Sequence, residues 1–217
     1  MRVGIIGAGN IGGNIARRCA LAGHSVVVSF AHDEAKLAAF AKEIGGTMGS
    51  PEAAATSDVV VISVPWDAID DALARTGSLD GRIVIDTTNQ FGEGGLIDLG
   101  GRTAARVNAD RMRGARYTKS FNTLTAGFQS ESAGRPKETR VVQWLCGDDE
   151  GAKQTVGRLI EEAGYVPVDI GGIDACSIME APRRPGAVYG EAYRLADAQR
   201  VVDAVRAGKP IPSAPKY

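Results

Sequence analysis

Two periods alternate along the chain. Short apolar, often β-branched runs recur at Arg2–Ile6, Ser25–Ser29, 58–64, 82–86, 117–121, 140–146 and 165–169, with a brief one at Thr47-Met48. Continuous runs such as DVVVISV and RIVID read as strands buried on both faces, as in parallel sheets. Between them lie stretches with helical spacing. Ile11, Ile15, Cys19 and Ala22 recur at that spacing over 10–22, and Gly23 follows as a stop. Asp33 is placed to cap a second helix that Gly45-Gly46 closes, and Ser50-Pro51 opens a third. Further helices are predicted near 102–113, from Asp148-Asp149-Glu150 to Ala163, and near 191–207. The closing PIPSAPKY is expected to be irregular.

Strands and helices alternating at these lengths predict an α/β fold. It is a single doubly wound, mostly parallel sheet of Rossmann type, with a short C-terminal helical extension. Residues 1–170 form the expected dinucleotide-binding domain. Residues 171–217 form an extension packed on it or on a partner subunit.

Composition narrows the function classes. The net charge is −1, with 44% hydrophobic and 24% charged residues and no basic stripe, so nucleic acid is not an expected partner. No apolar run approaches the ~20 residues that span a bilayer, so no membrane partner is expected either. The start, MRVGIIGAGN, breaks at glycines as a first strand does and a signal peptide does not. A cytoplasmic location follows by default. Cys19, Cys146 and Cys176 have no motif spacing and are read as small buried thiols.

Residues 7–12 read GAGNIG, a G-x-G-x-x-G turn that leaves the first strand and opens a helix. Gly7 allows the tight turn, Gly9 lets backbone approach a pyrophosphate, and Gly12 lets the helix pack on the strand. The N–H groups of Asn10 and Ile11 would face the phosphates, helped by the helix dipole. FAD enzymes share this turn but need further domains to cover the flavin. A nicotinamide cofactor is therefore expected in a chain of this length.

The end of the second strand ordinarily carries an acid for a ribose 2′-OH or an arginine for a 2′-phosphate. VVVSFAHDEAKL has neither at Ser29, Phe30 and Ala31. Nothing there repels NADP, so NADP is the expected cofactor and NAD the alternative. Ser29 and His32 could bond the phosphate, with Lys36 and a helix N-terminus nearby. Phe30 is either an adenine contact or core.

The other strand ends carry Val64, Pro65 and Trp66, then Thr87, Thr88 and Asn89, then Ser120, Phe121, Asn122 and Thr123, then LCGDD. No Ser–His–Asp set or metal-spaced His/Cys cluster stands out, so no catalytic or metal-ligating residue is assigned. Asp67, Asp70 and Asp71 read as a helix N-terminus. These ends suit a flat ligand rather than activation of water.

RVGIIGAGNIGG, VVVISVPWDAI, IVIDTTNQF, YTKSFNTLTAGF, LCGDDEGAKQTVGRLIEEAGYVPVDIGGID and RRPGAVYG together resemble the F420-dependent NADP oxidoreductase family. The resemblance implies that Gly7, Gly9, Asn10, Ile11 and Gly12 hold the pyrophosphate. It places Val64 and Pro65 beside the nicotinamide, and Asn122 and Thr123 near the nicotinamide and its acceptor. Asn89, on the neighbouring strand end, joins the candidate cofactor set. Where the family often carries Ser-Arg or Asn-Arg after strand two, this chain has Phe30 and Ala31. The implied activity is hydride transfer between NADP(H) and a planar acceptor, with F420 as candidate co-substrate, in a homodimer. Trp66, Phe121 and Phe128 are either cleft walls or core. Arg183 and Arg184 either meet an anionic acceptor tail or belong to a solvated loop.

Overall fold

The computed structural model describes residues 1–30 and 33–216. The first half alternates as expected: β1 (Arg2–Ile6), α1 (Asn10–Leu21), β2 (Ser25–Ser29), α2 (Glu34–Glu43), β3 (Thr47–Met48), α3 (Pro51–Ala55), β4 (Val59–Ile62), α4 (Ile69–Thr76) and β5 (Ile83–Asp86). A small hairpin follows, β6 (Phe91–Gly92) and β7 (Gly95–Leu96). Then come α5 (Ala104–Arg111), β8 (Arg116–Ser120), α6 (Ala126–Ser132), β9 (Val142–Gly147), α7 (Glu150–Glu162), β10 (Val166–Asp169) and α8 (Leu195–Arg206). Among the described residues no helix is long and apolar enough to cross a membrane.

Helix starts follow local chemistry. Asp33 accepts from the Lys36 N–H at 3.0 Å, Ser50 from Ala53 at 3.2 Å, and Asp149 from Ala152 at 2.8 Å. Each satisfies one of the N–H groups a helix leaves without an internal partner. The pattern did not predict α6. Its seven residues AGFQSES contain a glycine and two serines, and its start depends on the Thr125 cap.

The main sheet has eight strands in the order β10-β9-β8-β5-β4-β1-β2-β3. From β3 to β8 all pairings are parallel. β9 then runs antiparallel to β8, with Cys146 opposite Lys119, and β10 pairs parallel with β9. One face of the sheet buries Ile15, Cys19, Leu37, Val156 and Ile160 from α1, α2 and α7. The other buries Ala54, Ile69, Ala104, Cys176, Met179 and Val201 from α3, α4, α5, the 3-10 turn Ile173–Met179 and α8.

The reversal at β9 corrects one expectation. LCGDD was grouped with the ligand-facing strand ends, but β9 runs the other way, so its end lies on the opposite edge. There Arg116, at the start of β8, grips Asp149 through two hydrogen bonds of 2.7 and 2.8 Å.

The chain returns from that edge as a strap. The Ile173 N–H donates to Asp148 at 2.8 Å. The strap then crosses the α5 face, and at the other end the Met179 carbonyl accepts from Asn122 at 2.8 Å. Midway, Cys176 is joined to Cys146 by a disulfide with Cα atoms 5.8 Å apart. This overturns the reading of Cys146 and Cys176 as buried thiols: the topology brings together two cysteines 30 residues apart, which no motif spacing signals. Cys19 is free and buried, and burial pushes its thiol up to about 12.

Candidate functional site

The carboxyl ends of the six parallel strands share one edge, where α/β sheets bind ligands. The glycine turn sits at its centre. Gly7 has φ 95°, and its N–H donates to the Ser29 carbonyl at 2.9 Å, tying the end of β1 to the end of β2. A Cβ on Gly7 would stand 2.4 Å from the Ser63 carbonyl oxygen, and one on Gly12 would stand 2.1 Å from the Gly7 oxygen. Those two glycines answer to the protein's own packing.

Gly9 differs. A Cβ there would meet nothing within 4 Å, so open space lies in front of it. Gly9 and Asn10 are exposed and Ile11 is half-buried. Gly9 is the N-cap of α1 and makes no side-chain cap, and no acid occupies the first turn. The turn therefore presents backbone N–H groups and a positive dipole end to solvent, a geometry that fits a pyrophosphate.

Beside the turn lies a groove of about 520 Å³, lined by Gly9, Asn10, Asn14 and Arg17 on one side and by Lys36 and Phe40 on the other. Its cations are held by acids. Lys36 Nζ is 3.4 Å from Asp33, and Arg17 pairs with Glu43 while stacking 4.7 Å over Phe40.

The second-strand residues divide. His32 lies outside the described residues. Ser29 is completely buried, and its Oγ has no hydrogen-bond partner in the chain. Phe30 is half-buried against the core face under α3 and α4, with φ 59°.

Across the edge, Val64 is buried against Gly7 and Pro65 is exposed. Asn89 and Asn122 form a shelf. Asn89 Nδ2 donates to the Asn122 carbonyl at 2.9 Å, and Asn122 Nδ2 donates to Asn89 Oδ1 at 3.2 Å. The strap closes the shelf: the Ala181 N–H donates to Asn89 Oδ1 at 3.3 Å. Asn122 Oδ1 and Thr123 Oγ1 are buried without a hydrogen-bond partner in the chain. Such groups are uncommon in folded proteins, and a ligand amide is one way to satisfy them.

Beneath the shelf lies a polar cluster that sequence reasoning missed. Asp86 accepts from Tyr117 at 2.6 Å, Asn108 at 2.9 Å, Lys119 at 3.0 Å and the Thr88 N–H at 2.8 Å. Lys119 also donates to the Thr88 carbonyl at 2.7 Å. Burial acts to raise the Asp86 pKa, but Lys119 and the three other donors outweigh it and hold the carboxyl below its ordinary value. The available signal was one charge within each of two strand runs, IVID and YTKSF.

The wall and tail candidates divide as well. Trp66 is 5% exposed, with the Arg111 guanidinium 4.8 Å over its ring. Phe121 is 2% exposed and packs edge-on against Tyr165. Both are core. Phe128 is half-buried beside Arg135. The exposed aromatic next to the shelf is Phe91, at 48%. Arg183 pairs with Glu191, and Arg184 donates to the Glu180 and Ser177 carbonyls, so both are engaged within the chain.

Known proteins resemble this chain in sequence and fold. The chain is 28% identical to the F420-dependent NADP reductase of Methanothermobacter thermautotrophicus over 200 residues, covering 83% of this chain and 85% of that one. It is 24% identical to the metalloreductase STEAP3 of Rattus norvegicus over 180 residues, covering 83% of this chain and 36% of the relative, so it spans about a third of that protein. A solved structure of a hypothetical protein from Sinorhizobium meliloti superposes with a TM-score of 0.79 at 27% identity, over 89% of this chain and 94% of that one. Residues 2–90, from β1 through the Asn89 shelf, match the family described as NADP oxidoreductase coenzyme F420-dependent. Over that stretch the chain is similar to the F420-dependent NADP oxidoreductases, and the relatives it matches include an NADP-dependent reductase.

Proposed function

We propose that this chain binds NADP(H) across the carboxyl edge of its sheet and exchanges a hydride with a planar acceptor, F420 being the first candidate. The observation that carries the reading is the open cradle at Gly9. Two glycines of the turn are required by packing, and the third faces space that a pyrophosphate would fill.

Within this reading Gly9, Asn10 and Ile11 hold the phosphates. The groove beside α2 brings Lys36 to the adenosine half. Val64, Pro65, Asn89, Asn122 and Thr123 border the nicotinamide half, with Asn122 Oδ1 placed to accept from a carboxamide. Bound NADP(H) supplies or receives the hydride. The protein's part is to orient flat rings and exclude water, which needs no strong acid or base. Residues 1–170 carry the cofactor site, and residues 171–217 close its acceptor side through the strap.

A second reading keeps the cofactor and changes the acceptor. The likeness to a metalloreductase makes a ferric chelate the first alternative. Following NADPH absorbance with F420, FMN, a quinone or ferric citrate tests both readings. Oxidation with F420 alone supports the first, and oxidation with ferric citrate alone supports the second. Tight binding with no turnover on any of them would mean a non-catalytic dinucleotide-binding protein.

A further inference from the structure

The described part of the second-strand loop offers no arginine to a 2′-phosphate, yet a guanidinium reaches that place from another element. Phe30 follows β2 directly, one residue past the Ser29 carbonyl that bonds the glycine turn. A dinucleotide with its pyrophosphate at Gly9 must lay its adenosine over this strand end. Phe30 has φ 59°, a region bulky residues rarely enter, and Phe121 is the one other described non-glycine residue that does so. Its ring packs on the α3–α4 side. The Arg75 guanidinium, from the last turn of α4, lies 5.5 Å from the centre of that ring.

We propose that Phe30 and Arg75 form an adenosine subsite, with Arg75 as the specificity-determining cation for the 2′-phosphate of NADP. This rests on the dinucleotide reading above. Arg75 is oriented by Asp71 one turn earlier, through contacts of 3.0 Å from Nε and from Nη2. Both partners are more than half exposed, at 60% and 55%, and such surface pairs contribute little. A phosphate monoester carries about −1.5 to −2 charges at pH 7 and competes well with one carboxylate for a guanidinium. Arg17, the groove's arginine, stands on the α1–α2 side with Glu43 and Phe40, not beside Phe30. Lys36 remains a point charge that cannot offer the paired donors of a guanidinium.

The test is calorimetric titration of the full chain with NADPH and with NADH. Arg75→Met should weaken NADPH by ~10–100-fold, as loss of a charge-assisted contact does, and change NADH by less than about threefold. Asp71→Asn should tighten NADPH several-fold by freeing Arg75 and removing a negative charge. Because Arg75 is exposed, thermal unfolding of Arg75→Met should match wild type and exclude misfolding. Equal weakening of both cofactors, or an unchanged NADPH affinity, overturns the assignment while leaving the dinucleotide reading intact. A wild-type chain that binds neither cofactor overturns both.

Discussion

Asp86 and Lys119 are direct partners across β5 and β8, both completely buried, with Lys119 Nζ 3.0 Å from Asp86 Oδ2. Each charge is compensated chiefly by the other, and Tyr117, Asn108 and Thr88 complete the shell around the carboxylate. Removing one partner leaves an unpaired buried charge, which costs about 3–5 kcal/mol. Lys119→Met should therefore lower the urea midpoint sharply. Asp86→Leu combined with Lys119→Met should recover part of the loss. If the double variant is as unstable as the sum of the single ones, the two residues are not coupled.

The same pair sets a sign for acid stability. The folded-state pKa of Asp86 lies below its unfolded value. Its contribution is thus present above the unfolded value of about 4 and is lost as pH falls through the folded one. Wild type should hold steady from neutral pH to about 5 and weaken below about 4. In Lys119→Met, burial dominates and raises the carboxyl, so acidification should stabilise that variant relative to its value at neutral pH. Unfolding midpoints across this range check both slopes.

The glycine turn separates packing from binding. Gly12→Ala forces a Cβ to within 2.1 Å of the Gly7 oxygen and should lower the melting temperature. Gly9→Val should leave the melting temperature near wild type and abolish NADPH binding in a calorimeter. Unchanged affinity in Gly9→Val would move the pyrophosphate elsewhere.

The disulfide makes a count. Denatured without reductant, the chain should take one alkyl group, at Cys19, and after reduction three. A bridge closing a loop of this size contributes about 2–4 kcal/mol. Cys146→Ala with Cys176→Ala should lower stability by that amount. Three reactive thiols before reduction would show the bridge does not form.

Glu180 offers a fourth handle. Its carboxylate accepts from the Ala104 and Ala105 N–H groups at 2.9 and 2.7 Å, joining the strap to the start of α5. Glu180→Ala removes two charge-assisted bonds and should cost about 1.5–3 kcal/mol for each that is not replaced by water. Hydrogen exchange should rise first at Ala104 and Ala105.

The first five strands of the main sheet and the glycine turn were legible because their signals are local: VVVI and IVID are runs, and GAGNIG is contiguous. The direction of β9 was not. VQWLCG reads the same in either sense, and only its pairing with β8 decides which edge Gly147 reaches. The sequence leaves Trp66 and Phe121 open between cleft wall and core, and packing by Arg111 and Tyr165 closes over them. The pairing of Phe30 with Arg75 spans a distance along the chain over which no local period operates. Asp86 and Lys119 were visible as isolated charges, and only register made them partners.

The strap has a consequence for the order of assembly. Met179 and Ala181 complete the shelf of Asn122 and Asn89, yet they follow every strand of the main sheet in the chain. A nascent chain emerges N-terminus first, so the phosphate cradle can form while the shelf is still unfinished. The shelf half of the candidate site therefore cannot be complete before the strap has been synthesised.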